Sequence, residues 1–203
     1  EVSEPFLRGN VAGGFLGFGN FYPSNIYIGS ETFANLTTGV FYPNDTYKYR
    51  NHYDLGVSVL PGYQIYHGFA YLRTGVVFGR VSRVTIPRDT YDFDQHKIGY
   101  HLGMGYNFFV TRRWHMRLDY AYNGFGTVTV KDPNDSDNIK VFKPASNHYT
   151  LGAVYYLTPM KIDDIDAPSF PVGHFYGGIY MDMPNHFQDD SADHVPGAAV
   201  IEE

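Results

Sequence analysis

The 203-residue chain has no cysteine. That removes disulfide staples, thiolate nucleophiles and thiolate metal sites together. It also lacks any run of about 18 apolar residues, which excludes a transmembrane helix. A β-barrel stays open, because its strands cross a bilayer without such a run. Charge is scarce as well: Asp, Glu, Lys and Arg make up 18% of the residues, and the net charge is −6. With no basic surplus there is no electrostatic footprint for a polyanion, so nucleic acid is set aside as a partner. No window carries a 3.6-residue apolar period. The opening residues, EVSEPFLRGN, show neither a basic n-region nor an apolar h-region, so the expectation is a secretory leader already removed or never present.

What is abundant is Gly (22), Tyr (19) and Phe (16), the composition of an all-β chain with aromatic strands. In RWHMRLDYAYNGFG (113–126), Met116, Leu118, Tyr120 and Tyr122 alternate with Arg117, Asp119, Ala121 and Asn123. This is the period-2 signature of a strand with one apolar and one polar face. Six further segments read as strands: 6–19, 52–66, 70–81, 97–109, 147–157 and 173–183. In the first, Leu7, Val11 and Phe15 are set against Arg8, Asn10, Ala12 and Gly14. The clearest is KIGYHLGMGYNFF (97–109), where Ile98, Tyr100, Leu102, Met104, Tyr106 and Phe108 oppose Lys97, Gly99, His101, Gly103, Gly105 and Asn107.

The connections alternate in length. YHGF and VTRR make short turns, whereas 20–51, 83–96 and 127–146 read as long polar loops. This is an up-and-down antiparallel meander with its long loops on one side, as in transmembrane barrels. An open seven-strand sheet would leave backbone groups unpaired, so an eighth strand is required, and VPGAAVI (195–201) is the candidate for it. The expected organisation is strands one to six within 1–157. Residues 158–203 then hold strand seven and a possible strand eight, or an acidic extension.

Alternation does not say which face is inside. The polar faces of strands one, four and six decide it, being mostly Gly, Asn, His, Thr and Ala with scattered charges. The outer surface of a soluble protein carries far more Lys, Arg, Asp and Glu. A narrow lumen suits them, with small residues leaving room for a few long polar ones. The expected interior network is Arg8, Asp54, Arg73, Lys97, His101, Arg117 and Asp119, paired because an isolated charge there would be desolvated. The expected lipid-facing set is Tyr100, Leu102, Met104, Tyr106, Leu118 and Tyr120. The alternative is a soluble lipocalin-like barrel with these apolar faces as its core.

GYHLGMGYNFFVTRRW followed by MRLDYAYNGFG resembles the penultimate hairpin of OmpA-type and opacity-type outer-membrane β-barrels. YDLGVSVLPGYQIYHGFAYLRTGVVFGRV is similar to an earlier hairpin of that family, and NHYTLGAVYYL to its closing strand. The likeness covers roughly 50–157. It implies an eight-stranded barrel in the outer membrane of a Gram-negative cell, with four exposed loops.

No catalytic residue, cofactor or metal is expected. His101, His115 and His148 lie on polar faces with Thr150 near His148, but no compact His–Ser–acid motif is visible. DPNDSDN (132–138) fails the calcium-loop pattern, since Asp137 replaces the turn glycine and Lys143 the bidentate Glu. The repeats NFYPSNIY and VFYPNDTY put Tyr22, Tyr27, Tyr42 and Tyr47 on the first loop as candidate recognition residues, since tyrosine gives contact area at low entropic cost. The expected function is a surface-exposed envelope anchor without a large pore. Its partners are outer-membrane lipid and, through the loops or residues 158–203, another protein or a second copy. A lipid-modifying barrel enzyme is the other alternative.

Overall fold

The computed structural model of the chain describes residues 10–38, 40–41, 47–85, 90–126, 128–132, 135–142, 145–159 and 173–182. In chain order the strands are β1 (Val11–Tyr22), β2 (Ile26–Thr37), β3 (Val40–Phe41), β4 (Tyr47–Ile65), β5 (Gly68–Thr85), β6 (Thr90–Phe109), β7 (Trp114–Phe125), β8 (Val128–Asp132), β9 (Asp135–Phe142), β10 (Ala145–Tyr156) and β11 (His174–Asp182). Eight of them form an antiparallel up-and-down barrel in the order β1-β2-β4-β5-β6-β7-β10-β11. β11 closes it by pairing with both β10 and β1, from Ala12 opposite Met181 to Gly19 opposite His174. Closure gives each barrel strand a neighbour on both sides and removes the open edge.

The eighth strand is β2, inside the segment that reads as the first long loop. Only the turn Pro23–Asn25 separates it from β1, and β2 pairs with β1 along its whole length, from Val11 opposite Thr37 to Tyr22 opposite Ile26. Ser24 and Asn25 both have positive φ, 69° and 63°, as a type I′ hairpin turn requires. The candidate strand at 195–201 lies outside the described residues, and the barrel is complete without it. The segment 83–96 is also mostly strand: β5 runs to Thr85 and β6 starts at Thr90. The segment 127–146 contains the separate hairpin β8–β9.

Strand directions put the turns 23–25, 66–67 and 110–113, with the connection 157–173, at one end. Both ends of the barrel chain share the other end with the connections 38–46, 86–89 and 126–144. That end therefore carries three connections between barrel strands, and the opposite end four. At the same end β4, β5 and β6 outrun their neighbours: β6 pairs with β7 only from Gly99 onward, while its ladder with β5 continues to Thr85 opposite Thr90.

Side-chain parity follows the alternation of the sequence on six of the seven expected strands. Leu55, Val57, Val59, Leu72, Val76, Leu102, Met104, Met116, Leu118, Leu151, Ile179 and Met181 point outward and are exposed, whereas Asp54, Arg73, His101, Asn107, Arg117, Asp119, His148 and Thr150 are buried in the lumen. β1 is the reverse of the expectation. Val11 and Phe15 face inward at 2% and 4% exposure, and Leu16 points out at 68%. Phe15 is needed inside, where it stacks with Tyr180 and underlies the Arg117 guanidinium at 4.2 Å.

Because β11 is a barrel strand, residues 158–203 are more than an appendage. Truncation after Leu157 removes one of eight strands and leaves β1 and β10 with open edges. The expected outcome is loss of the cooperative thermal transition, checked by circular dichroism of the refolded truncated chain against the full one.

Candidate functional site

The lumen is filled in three layers. Next to the short turns lies an aromatic plug. Tyr27, Leu60, Phe69 and Tyr71 pack with Phe21 and Phe109, and Tyr156 stacks on Tyr176 at 4.9 Å. The hydroxyl of Tyr27 donates to that of Tyr176 at 3.0 Å, and Asn107 Nδ2 donates to the Tyr156 hydroxyl at 3.2 Å. The His115 ring is tilted against this plug, its centroid 4.3 Å from that of Tyr156 and 4.8 Å from that of Phe109.

The middle layer is ionic. Glu31 on β2 accepts from Arg73 Nη2 at 2.9 Å through Oε2 and from Arg117 Nη2 at 2.5 Å through Oε1. Asp119 Oδ2 lies 3.6 Å from Arg73 Nη2 and 3.7 Å from Arg117 Nε, and the Tyr71 hydroxyl donates to Asp119 Oδ1. Two cations and two anions balance in a space with almost no exposure: Arg117 is 0% exposed and Glu31 3%. The charges come from β2, β5 and β7, so the cluster ties strands far apart in sequence. Glycine makes the room. A Cβ at Gly105 would meet both the Tyr71 ring and the Asp119 carboxylate, and one at Gly17 the Tyr176 ring.

The third layer, towards the loop end, is a network of neutral polar groups around one carboxylate. Asp54 accepts from Asn51 Nδ2 at 2.9 Å and Asn123 Nδ2 at 3.3 Å, and Asn123 Oδ1 lies 2.5 Å from His101 Nδ1. Tyr180 donates to Asn35 Oδ1, and His52 Nε2 contacts Ser82 Oγ at 2.8 Å. At the rim of this layer His148 sits between two partners: Nε2 is 2.9 Å from Ser146 Oγ, and Nδ1 is 3.6 Å from Asp182 Oδ2.

Of the expected interior residues, Arg73, Arg117 and Asp119 meet in the ionic layer, and Asp54 joins His101 through Asn123. Lys97 has the inward parity of β6 but is half-buried, nearer the loop end. Arg8 lies outside the described residues. Glu31, the acid that the two arginines share, was hidden in the segment read as a loop. Tyr27, expected on that loop, is instead 1% exposed in the aromatic plug. Tyr22 is exposed at the turn end of β1, Tyr47 begins β4, and Tyr42 lies outside the described residues. The expected outward residues Tyr100, Leu102, Met104 and Leu118 are exposed, and Tyr106 and Tyr120 half-exposed. Among the described residues no group of three His, Asp or Glu side chains could hold a metal ion.

Neither comparison with protein-family models nor comparison with curated proteins finds a match.

Removing Glu31 alone leaves two guanidinium groups facing one carboxylate in a closed lumen. Glu31→Ala is expected to destabilise the barrel by about 3–5 kcal/mol. The double substitution Glu31→Leu with Arg117→Met keeps the Arg73–Asp119 pair and is expected to cost markedly less. Urea unfolding of the two variants side by side checks this.

Proposed function

We propose that the chain is a small outer-membrane β-barrel that anchors its loop end at the cell surface and carries no large pore. The observation that carries this reading is the composition of the outward face. The outward positions of the barrel strands in 12–36, 53–78, 98–108, 114–122, 147–157 and 175–181 include no Asp, Glu, Lys or Arg. All the charges of the central layer point the other way. A water-soluble barrel distributes charge over its outside and keeps its apolar side chains within; here the arrangement is inverted.

The dimensions suit a bilayer. From Ile98 to Phe108 the outward apolar positions of β6 run about 34 Å along the strand, or about 26 Å along the axis of a barrel whose strands tilt by roughly 40°. Outer-membrane barrels carry an apolar band of about that height, flanked by aromatic girdles. Aromatic side chains gather at both margins here. Tyr63, Phe108, Trp114 and Tyr155 lie near the short turns, with Trp114 and Tyr155 rings 4.9 Å apart. Tyr100 and Tyr122, and Tyr120 and Tyr149, pair towards the loop end at 5.7 and 5.0 Å. The likeness of 50–157 to OmpA-type and opacity-type barrels supports the same reading.

The three filled layers argue against bulk solute passage, as expected where eight strands leave a lumen just wide enough for side chains. Recognition then falls to the loop end, where β4, β5 and β6 rise beyond their neighbours and the hairpin β8–β9 is added. The partner class is a protein at the cell surface or a second copy of the chain.

The native chain has no thiol, so single cysteines report cleanly. In lipid vesicles, cysteines at Leu102 and Met104 are expected to react with a membrane-soluble maleimide and resist a charged one. If the charged reagent labels both positions as fast as it labels a cysteine in plain buffer, the bilayer assignment fails.

A further inference from the structure

We propose that Ser146, His148 and Asp182 form a nucleophilic site in the loop-end half of the lumen that hydrolyses short-chain carboxylic esters. This goes beyond the anchoring role and does not depend on the bilayer reading, because it rests on the geometry of three side chains.

Ser146 and His148 are two residues apart on the inward face of β10, and Asp182 ends the neighbouring strand β11, where Thr150 is its register partner. The imidazole stands between the groups a nucleophilic serine needs: Ser146 Oγ lies 2.9 Å from Nε2, and Asp182 Oδ2 lies 3.6 Å from Nδ1, which has no hydrogen-bond partner. An acid on the Nδ1 side favours the tautomer with its proton on Nδ1. That leaves the Nε2 lone pair free to accept the serine proton. The acid contact is somewhat longer than a hydrogen bond, as such contacts often are before a substrate is bound. Ser146 and His148 are 2% and 7% exposed, so a charge forming on the imidazole is stabilised chiefly by Asp182.

Position sets the substrate class. Ser146 is the second residue of β10, towards the loop end, and Asp182 pairs with Thr150, four residues further along that strand. Beside Ser146 on β7, its register partner Asn123 is tied to Asp54 and His101. With polar side chains around the serine, a short acyl group such as acetyl suits the site better than a long alkyl chain.

In the first half-reaction Ser146 Oγ bonds to the ester carbonyl carbon and its proton passes to His148 Nε2. The tetrahedral adduct collapses, the carbon–alkoxy bond breaks, and the leaving alcohol takes the proton from Nε2. Water then adds to the acyl-serine and gives one proton to Nε2. The carboxylic acid departs as the serine oxygen recovers that proton. No oxidant, metal or co-reactant other than water is needed.

The test uses the purified full chain with p-nitrophenyl acetate as substrate and a fluorophosphonate as a serine probe. The expected result is hydrolysis and covalent labelling, with the phosphonyl adduct mapped by mass spectrometry to Ser146. Ser146→Ala should lower the rate by about 10⁴-fold or more and abolish labelling, and Asp182→Asn should lower the rate by about 10²- to 10⁴-fold. Ser82→Ala, which changes another Ser–His contact in the lumen, should leave both intact. p-Nitrophenyl palmitate should be turned over far more slowly than the acetate. The proposal is overturned if the folded wild-type chain, verified by its thermal transition, takes no label. An adduct on any residue other than Ser146 overturns it equally, without depending on whether a variant folds. Equal rates on acetate and palmitate would refute the short-chain assignment.

Discussion

Glu31 held between Arg73 and Arg117 is the contact on which the rest of the barrel depends. A lumen closed by eight strands is too narrow to hydrate an ion fully, so each buried charge must find its opposite within a few ångströms. Glu31 is on β2, Arg73 on β5, and Arg117 and Asp119 on β7. Sliding any of these strands by one residue would turn its charge to the outside and leave the others unpaired. The ionic layer therefore fixes register across the barrel as well as filling its centre.

The outside follows from this. Side chains alternate strictly along a strand, so committing the polar positions to the lumen commits their neighbours to the exterior. Leu16, Leu72, Ile98, Leu102, Met104 and Ile179 are exposed because Gly17, Arg73, Lys97, His101, Gly105 and Gly178 are not on that face. The apolar belt and the ionic core are one pattern seen from two sides. Closure by β11 is what lets the pattern go all the way round, since a gap would break both the belt and the ladder.

The sequence makes this pattern legible where one face is purely apolar and the other is small or polar. The segments 97–109 and 147–157 are of that kind, and their orientation agrees with the structure throughout. It is not legible in IYIGSETFANLT, which is β2. Its outward face mixes Ile26, Ile28 and Leu36 with Ser30, Thr32 and Ala34, and its inward face mixes Tyr27 and Phe33 with Glu31 and Asn35. Each face is half apolar, the alternation cancels, and the strand reads as a polar loop. Glu31 and the burial of Tyr27 went unseen with it. β1 misleads for a related reason. Phe15 and Val11 are apolar yet face inward, because a guanidinium needs an aromatic surface to lie against and Phe15 supplies it. Ser146 and His148 were within two residues of each other in the sequence. Their acid, Asp182, is 34 positions further on, and only the β10–β11 pairing brings it near.

The lumen also has a direction. Aromatic packing fills the short-turn end, compensated charge lies in the middle, and buried polar groups packed with Phe33, Val81 and Phe125 fill the loop end. Such a gradient separates two demands on one small scaffold. Stability resides where the turns are tight and the rings interlock, below a layer of balanced ions that resists displacement. Polar side chains at the opposite rim can then be arranged for contact with the exterior without weakening the core, because the packing that holds the strands together lies beneath them. A barrel with its rings at the mouth and its ions at the base would have to loosen its tightest packing to admit anything from the loop side.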